Sequence, residues 1–132
     1  MSRRLAREVA LRTLFQLDMG HLEKEAAFGF ALETTPLAEP LRPFARQLLE
    51  NALQYQADSD RLIAEKAVDW EINRLPRVDR AILRLALGEI LADTDVPSSV
   101  AINEAVELAQ KYSTEQSGRF INGILGSVVR ER

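Results

Sequence analysis

The spacing of apolar residues is helical almost throughout the chain, and the alternating runs that make strands are nearly absent. Arg3–Met19 places Ala6, Val9, Ala10, Thr13, Leu14 and Leu17 on one stripe, and Gly20 is suited to end that helix. A shorter helix is predicted over Glu23–Glu33, closed before Pro36. Pro36, Pro40 and Pro43 punctuate a connector, after which Phe44–Gln56 resumes the pattern with Leu48, Leu49 and Leu53. Asp58 and Ser59 are candidate caps for a fourth helix ending near Trp70. Pro76 fits the first turn of a helix running to about Asp93, apolar over most of its circumference and therefore expected at the centre of a bundle. After the break at Asp93-Thr94-Asp95-Val96-Pro97, Ser98 or Ser99 caps a helix to about Tyr112, and Thr114 caps the last one, to about Arg130. The expectation is an all-α protein of two small helical bundles, about residues 1–70 and 71–132, docked as one domain.

Composition agrees with a packed globular chain. Of the 132 residues 46% are hydrophobic and 28% charged, so there is enough apolar material to bury a core. The absence of cysteine excludes disulfides, thiolate metal sites and a cysteine nucleophile. No segment approaches the roughly 20 apolar residues of a membrane span, and no export signal follows Met1, so a cytoplasmic protein is expected. The net charge of −3 hides an asymmetry. The first 12 residues hold Arg3, Arg4, Arg7 and Arg12 against Glu8 alone, whereas the other 120 hold 13 basic and 19 acidic groups. That distribution suits an anionic partner touching one face.

Catalytic chemistry is hard to assemble from these residues. His21 is the single histidine, so neither a His-based triad with a second His nor a two-His metal site is available. No phosphate-cradling glycine loop is present, and no cofactor, metal or catalytic residue is expected. The first helix is more informative. With the core stripe centred on Ala10, Phe15 falls roughly 140° away, on a flank shared with Arg4 and Leu11, while Arg7 lies nearer the core edge. On the last helix Phe120 lies about 85° off the core stripe, above Gln116, beside Arg119, with Gly123 on the same outer face. Rings off the core beside guanidinium groups suit single-stranded RNA, whose bases stack while arginine meets phosphate. The competing reading packs both rings against neighbouring helices. Arg74, Arg77, Arg80 and Arg84 are expected to be structural, paired with acids such as Asp79 or Glu104.

Two segments are more specific than helix pattern: Arg77-Val78-Asp79-Arg80-Ala81-Ile82-Leu83-Arg84-Leu85 through Leu91, and Asp95-Val96-Pro97-Ser98-Ser99-Val100-Ala101-Ile102-Asn103-Glu104-Ala105 through Ala109 followed by Phe120-Ile121-Asn122-Gly123-Ile124-Leu125. With Arg3-Arg4-Leu5-Ala6-Arg7-Glu8 and Leu14-Phe15-Gln16, they resemble the NusB family of transcription antitermination factors. The resemblance implies a seven-helix fold that binds boxA RNA together with NusE, a small-subunit ribosomal protein, and joins other Nus factors on RNA polymerase. It implies RNA contacts at Arg3, Arg4, Arg7, Phe15, Gln116 and Phe120, to which the helical reading adds Arg119. Whether the free protein forms a homodimer is left open. Four positions depart from the family pattern: Phe15 where Tyr is common, Gln116 in place of an acid, Gly118 in place of a polar residue, and Gly88 in place of an aromatic. The module of a ribosomal RNA methyltransferase and a protein-only helical adaptor are the alternatives. The first is disfavoured by the lack of a Rossmann-like segment before Arg132.

Overall fold

The computed structural model describes residues 2–67 and 71–132. Among them are seven helices and no strand: α1 (Arg3–Met19), α2 (Lys24–Thr34), α3 (Arg42–Gln54), α4 (Gln56–Lys66), α5 (Arg77–Leu91), α6 (Ser98–Tyr112) and α7 (Glu115–Arg130). Single 3-10 turns at Glu39–Leu41 and Ile72–Arg74 lead into α3 and α5. No described helix is long and apolar enough to cross a membrane.

Local chemistry accounts for the ends that were expected and those that were not. The Ser2 hydroxyl accepts from the Leu5 amide at one end of α1, and Gly20 closes the other in the left-handed region at φ 83°. Thr114 caps α7 as expected, its hydroxyl accepting from the Ser117 amide. Pro43 is not in a connector but inside the first turn of α3, where a missing N–H costs nothing. Pro76 and Pro97 sit just before α5 and α6 instead of Pro76 or a serine capping from within. Asp58 and Ser59 do not cap α4: it begins at Gln56, directly after Tyr55 ends α3, and Ser59 is buried inside it. The expected end near Trp70 falls outside the described residues; α4 closes at Lys66.

Helix α5 is buried from Asp79 to Ile90 apart from Arg84, and it touches α1, α3, α4, α6 and α7. A second helix is nearly as central. Residues Ala6–Leu11 of α1 are all buried, because α2, α3 and α5 pack around it while side chains from α6 reach across. One continuous core follows, with Val9, Leu49, Ile63, Ile82, Leu83, Leu87, Ile121 and Leu125 among its enclosed side chains.

The arginine row of α5 is structural, but not with the partners expected. Asp18 at the end of α1 accepts from Arg80 at 2.5 Å and lies 3.5 Å from both Arg77 and Arg84; Arg84 also grips Asp60 of α4 at 2.8 and 2.9 Å. Arg77 donates to the Asp18 carbonyl as well, satisfying a C-terminal oxygen of α1. Neither Asp79 nor Glu104 serves this row: Asp79 accepts from Ser117, and Glu104 pairs with Arg4. Burial tends to raise the Asp18 pKa, but the Arg80 hydrogen bond and the three nearby positive charges hold it below the ordinary carboxylate value. Because the folded pKa is depressed, this stabilisation is complete above the unfolded pKa and is lost as pH falls through the folded one. Asp18→Asn should therefore cost about 2 kcal/mol at neutral pH, with the deficit relative to the parent shrinking in urea melts below about pH 4. A deficit that stays constant down to pH 2 would show that the carboxylate charge is not what holds the row.

Candidate nucleic-acid interface

The N-terminal arginines divide into exposed and buried members. Arg3 lies over the Phe44 ring of α3, 4.4 Å from its centroid, and is exposed. Arg4 donates to both carboxylate oxygens of Glu104 at 3.2 and 2.9 Å, yet its side chain stays 55% exposed. The Arg4 hydrogen bond holds Glu104 below its ordinary pKa, so the carboxylate is ionised at neutral pH. Arg7 differs. Its guanidinium is 5% exposed and bound to Glu89 of α5 at 2.6 Å, so it faces the helix interface and not solvent. A phosphate contact at Arg7 would require breaking that pair.

Phe15 is half-buried at the far end of α1, about 17 Å of helix rise from Arg4. It lines a groove of about 620 Å³ formed with Leu11, Arg12 and Gln16 of α1, Phe30, Ala31 and Thr34 of α2, Arg77 and Val78 of α5, and Tyr112 of α6. Leu11, expected beside it on an outer flank, is buried at the groove's base. Glu8, one turn before Arg12, is buried too, accepting from Lys111 at 3.0 Å and from the Tyr112 hydroxyl at 2.5 Å.

Phe120 is half-buried, packed against the core on one side and lining a second groove on the other. That groove of about 240 Å³ is shared with Leu75, Pro76, Asp79, Thr114, Gln116 and Ser117. Gln116 is exposed beside the ring, and a Cβ built on Gly123 would meet nothing, so the outer surface there is open. Arg119 and Gly118 lie on another face of α7, lining a shallow groove with Asn103, Val106 and Gln110 of α6. Gly118 is buried, with α6 side chains 3.6 Å from where its Cβ would be.

The two rings therefore lie in neighbouring grooves that flank the same turn. Arg77 and Val78 wall one, Pro76 and Asp79 the other, and the junction of α6 and α7 contributes Tyr112 to the first and Thr114 to the second. Phe15, Phe120 and Gln116 come together around the start of α5; Arg3 and Arg4 sit at the opposite end of α1; Arg119 is set apart. The sequence reading places Arg12 only in the N-terminal charge cluster and does not single out Phe30 or Tyr112, yet all three line the Phe15 groove. Phe30 carried a readable signal: Phe28 and Phe30 are about 200° apart on a helix, so one of them had to leave the core. Phe28 is buried and Phe30 is 50% exposed. No group of acids, histidines or cysteines among the described residues could hold a metal ion.

Comparison with known proteins points one way. The model of the NusB family matches residues 4–130. A protein of Symbiobacterium thermophilum named transcription antitermination protein NusB is 51% identical, over 98% of this chain and 90% of its own length. An Exiguobacterium protein of the same name is 41% identical over 99% of both chains, while the chain spans 64% of a longer relative from Heliobacterium modesticaldum. Among solved structures, T. maritima NusB superposes with a TM-score of 0.88 at 34% identity, over all of this chain and 93% of that one. A structure of antitermination factors NusB and NusE in complex with double-stranded RNA shares the fold at a TM-score of 0.88 and 24% identity, over 98% of this chain and 97% of that one. The match spans nearly the whole chain, all seven helices included, and the chain belongs to the NusB family.

Proposed function

We propose that this protein is a transcription antitermination factor that binds boxA-type RNA of nascent transcripts as a single domain of two docked bundles. It acts by binding and not by catalysis, with NusE as its protein partner and RNA polymerase with other Nus factors as the assembly it joins. Such a factor works in the bacterial cytoplasm, where transcripts emerge. The observation that carries this reading is the pair of half-buried rings, Phe15 and Phe120, in grooves on either side of one turn of α5. A single strand passing over that turn can place a base on each, while the exposed Arg3 and Arg4 extend positive charge along α1. Gln116 offers an amide donor and acceptor to a base edge beside Phe120. Relatives that share 41% and 51% of the sequence and bear the antitermination name support it, as does the shared fold of a NusB–NusE assembly holding RNA.

The test is titration of a short boxA RNA with and without NusE, at two salt concentrations. Affinity should fall steeply with salt, as it does whenever arginines displace counterions from phosphates. Phe120→Ala should weaken binding by about 2 kcal/mol, the scale of one lost base stack. A folded Phe120→Ala variant that binds as tightly as the parent would remove the ring from the interface. Absence of RNA affinity in every condition would leave a helical adaptor that binds protein alone.

A further inference from the structure

We propose that the groove between α1, α2 and the start of α5 is a nucleotide-binding subsite, taking one unpaired base against Phe15 and Phe30 and its phosphate on Arg12 and Arg77. This rests on the RNA-binding reading above, and adds to it a specific pocket and three residues, Arg12, Phe30 and Arg77, that the family resemblance does not assign.

The argument begins with an unbalanced charge. Every other buried or half-buried arginine of α1 and α5 has a carboxylate: Arg7 has Glu89, Arg80 has Asp18, and Arg84 has Asp60 and Asp18. Arg12 is half-buried and forms no ion pair among the described residues. Its Nε is enclosed without a partner, and its one hydrogen bond is a long one, 3.4 Å from Nη2 to the Tyr112 hydroxyl. The nearest acid on its own helix, Glu8, is already taken by Lys111 and Tyr112. A guanidinium withdrawn from water without a counter-charge is costly, and an arriving anion would relieve that cost.

The walls then select the kind of anion. The groove lining contains no carboxylate, three aromatic rings, Phe15, Phe30 and Tyr112, and two arginines, Arg12 and the half-exposed Arg77, whose Nη1 already meets Asp18. A bare phosphate would satisfy Arg12 but leave the apolar floor empty, and an aliphatic side chain would fill the floor but leave Arg12 unpaired. A nucleotide has both parts, a flat base for the rings and a phosphate for the cations. Gln16 and Thr34 supply polar atoms to the base edge. With Phe28 buried on the opposite side of α2, Phe30 is left outside the core, and its ring lines the same groove as Phe15. The subsite is also continuous with the strand path proposed above, since Arg77 and Val78 separate it from the Phe120 groove by one turn of α5.

The test uses the full chain, NusE and boxA RNA carrying 2-aminopurine at each position in turn. One position should change fluorescence strongly on binding, and Phe30→Ala should abolish that change and weaken affinity about tenfold. Phe30→Leu, which keeps apolar bulk without a ring, should lose nearly as much. Arg12→Gln should lower the slope of log affinity against log salt by about one unit. If Phe30→Ala and Arg12→Gln bind RNA as the parent does while Phe120→Ala is weakened, the subsite is overturned and the RNA-binding reading stands. If Phe30→Ala keeps RNA affinity but loses NusE, the groove holds a protein segment and the proposal is likewise overturned. If the parent binds no RNA with NusE present, both fall together. Melting curves by circular dichroism establish that each variant is folded.

Discussion

Glu89→Ala is expected to destabilise the protein by about 3–5 kcal/mol, because it strands a positive charge inside the fold. Glu89 sits on the central helix α5 with its carboxylate 2% exposed, and Arg7 of α1 reaches it with Nη2 at 2.6 Å and Nε at 3.4 Å. The Phe44 ring lies 5.4 Å from the same guanidinium, too weak a partner to replace a carboxylate. Arg7→Met should be similarly damaging for the opposite reason, leaving the carboxylate unpaired. The double variant Arg7→Met/Glu89→Leu removes both charges and fills the space with apolar atoms, so it should recover most of the loss. Urea melts of the four proteins give the coupling directly. Single variants that each lose under 1 kcal/mol would mean the pair is solvated and Arg7 is free to meet a phosphate. The same double variant separates architecture from recognition: if Arg7 only joins α1 to α5, its boxA affinity should match the parent's.

This pair marks where sequence reasoning reaches its limit. The stripe Ala6, Val9, Ala10, Leu14 was legible, and so was the all-round apolar character of α5, since both depend on spacing within one helix. The burial of Arg7 and Glu8 was not. A charged residue on a helix flank reads as solvated until its counter-charge is known, and those partners lie 82 and 103 residues away. The same blindness misassigned the partners of Arg80 and Arg84, which are Asp18 and Asp60 from α1 and α4. The site was partly legible for a related reason. An aromatic off the core stripe is a local anomaly, so Phe15 and Phe120 stood out, whereas Arg12 became distinctive only when the structure showed it to be the half-buried arginine without an acid among the described residues. Adjacency in sequence is a weaker guide: Arg119 is turned about 100° from Phe120, towards α6.

Gly88 shows how a departure from family pattern becomes readable once the packing is known. Its position on α5 faces α3, where a Cβ would stand 2.6 Å from the Ala52 Cα, 2.7 Å from the Ala52 nitrogen and 2.9 Å from the Asn51 carbonyl carbon. These are backbone atoms, so no rotamer change can make room, and the two helices would have to separate. Ala52 and Ala45 on the facing side of α3 are themselves small and fully buried, which lets the backbones approach. An aromatic here would thus require a different spacing of α3 and α5, not a local adjustment. Gly88→Leu should cost about 3 kcal/mol or more through overpacking. Gly88→Ala should still lose about 1 kcal/mol, since the clash outweighs the gain in helix propensity. Urea melts check both. A Gly88→Ala protein more stable than its parent would mean that α3 can yield at no cost, and the close approach would then be a tolerance of this fold and not a requirement. Because Gly88 and Glu89 sit side by side between α3 and α1, the helix that carries the turn between the two rings is positioned by one close backbone contact and one enclosed ion pair. Displacing α5 by either route should weaken boxA binding in the surviving folded fraction, and Phe120→Ala should then add less than it does in the parent.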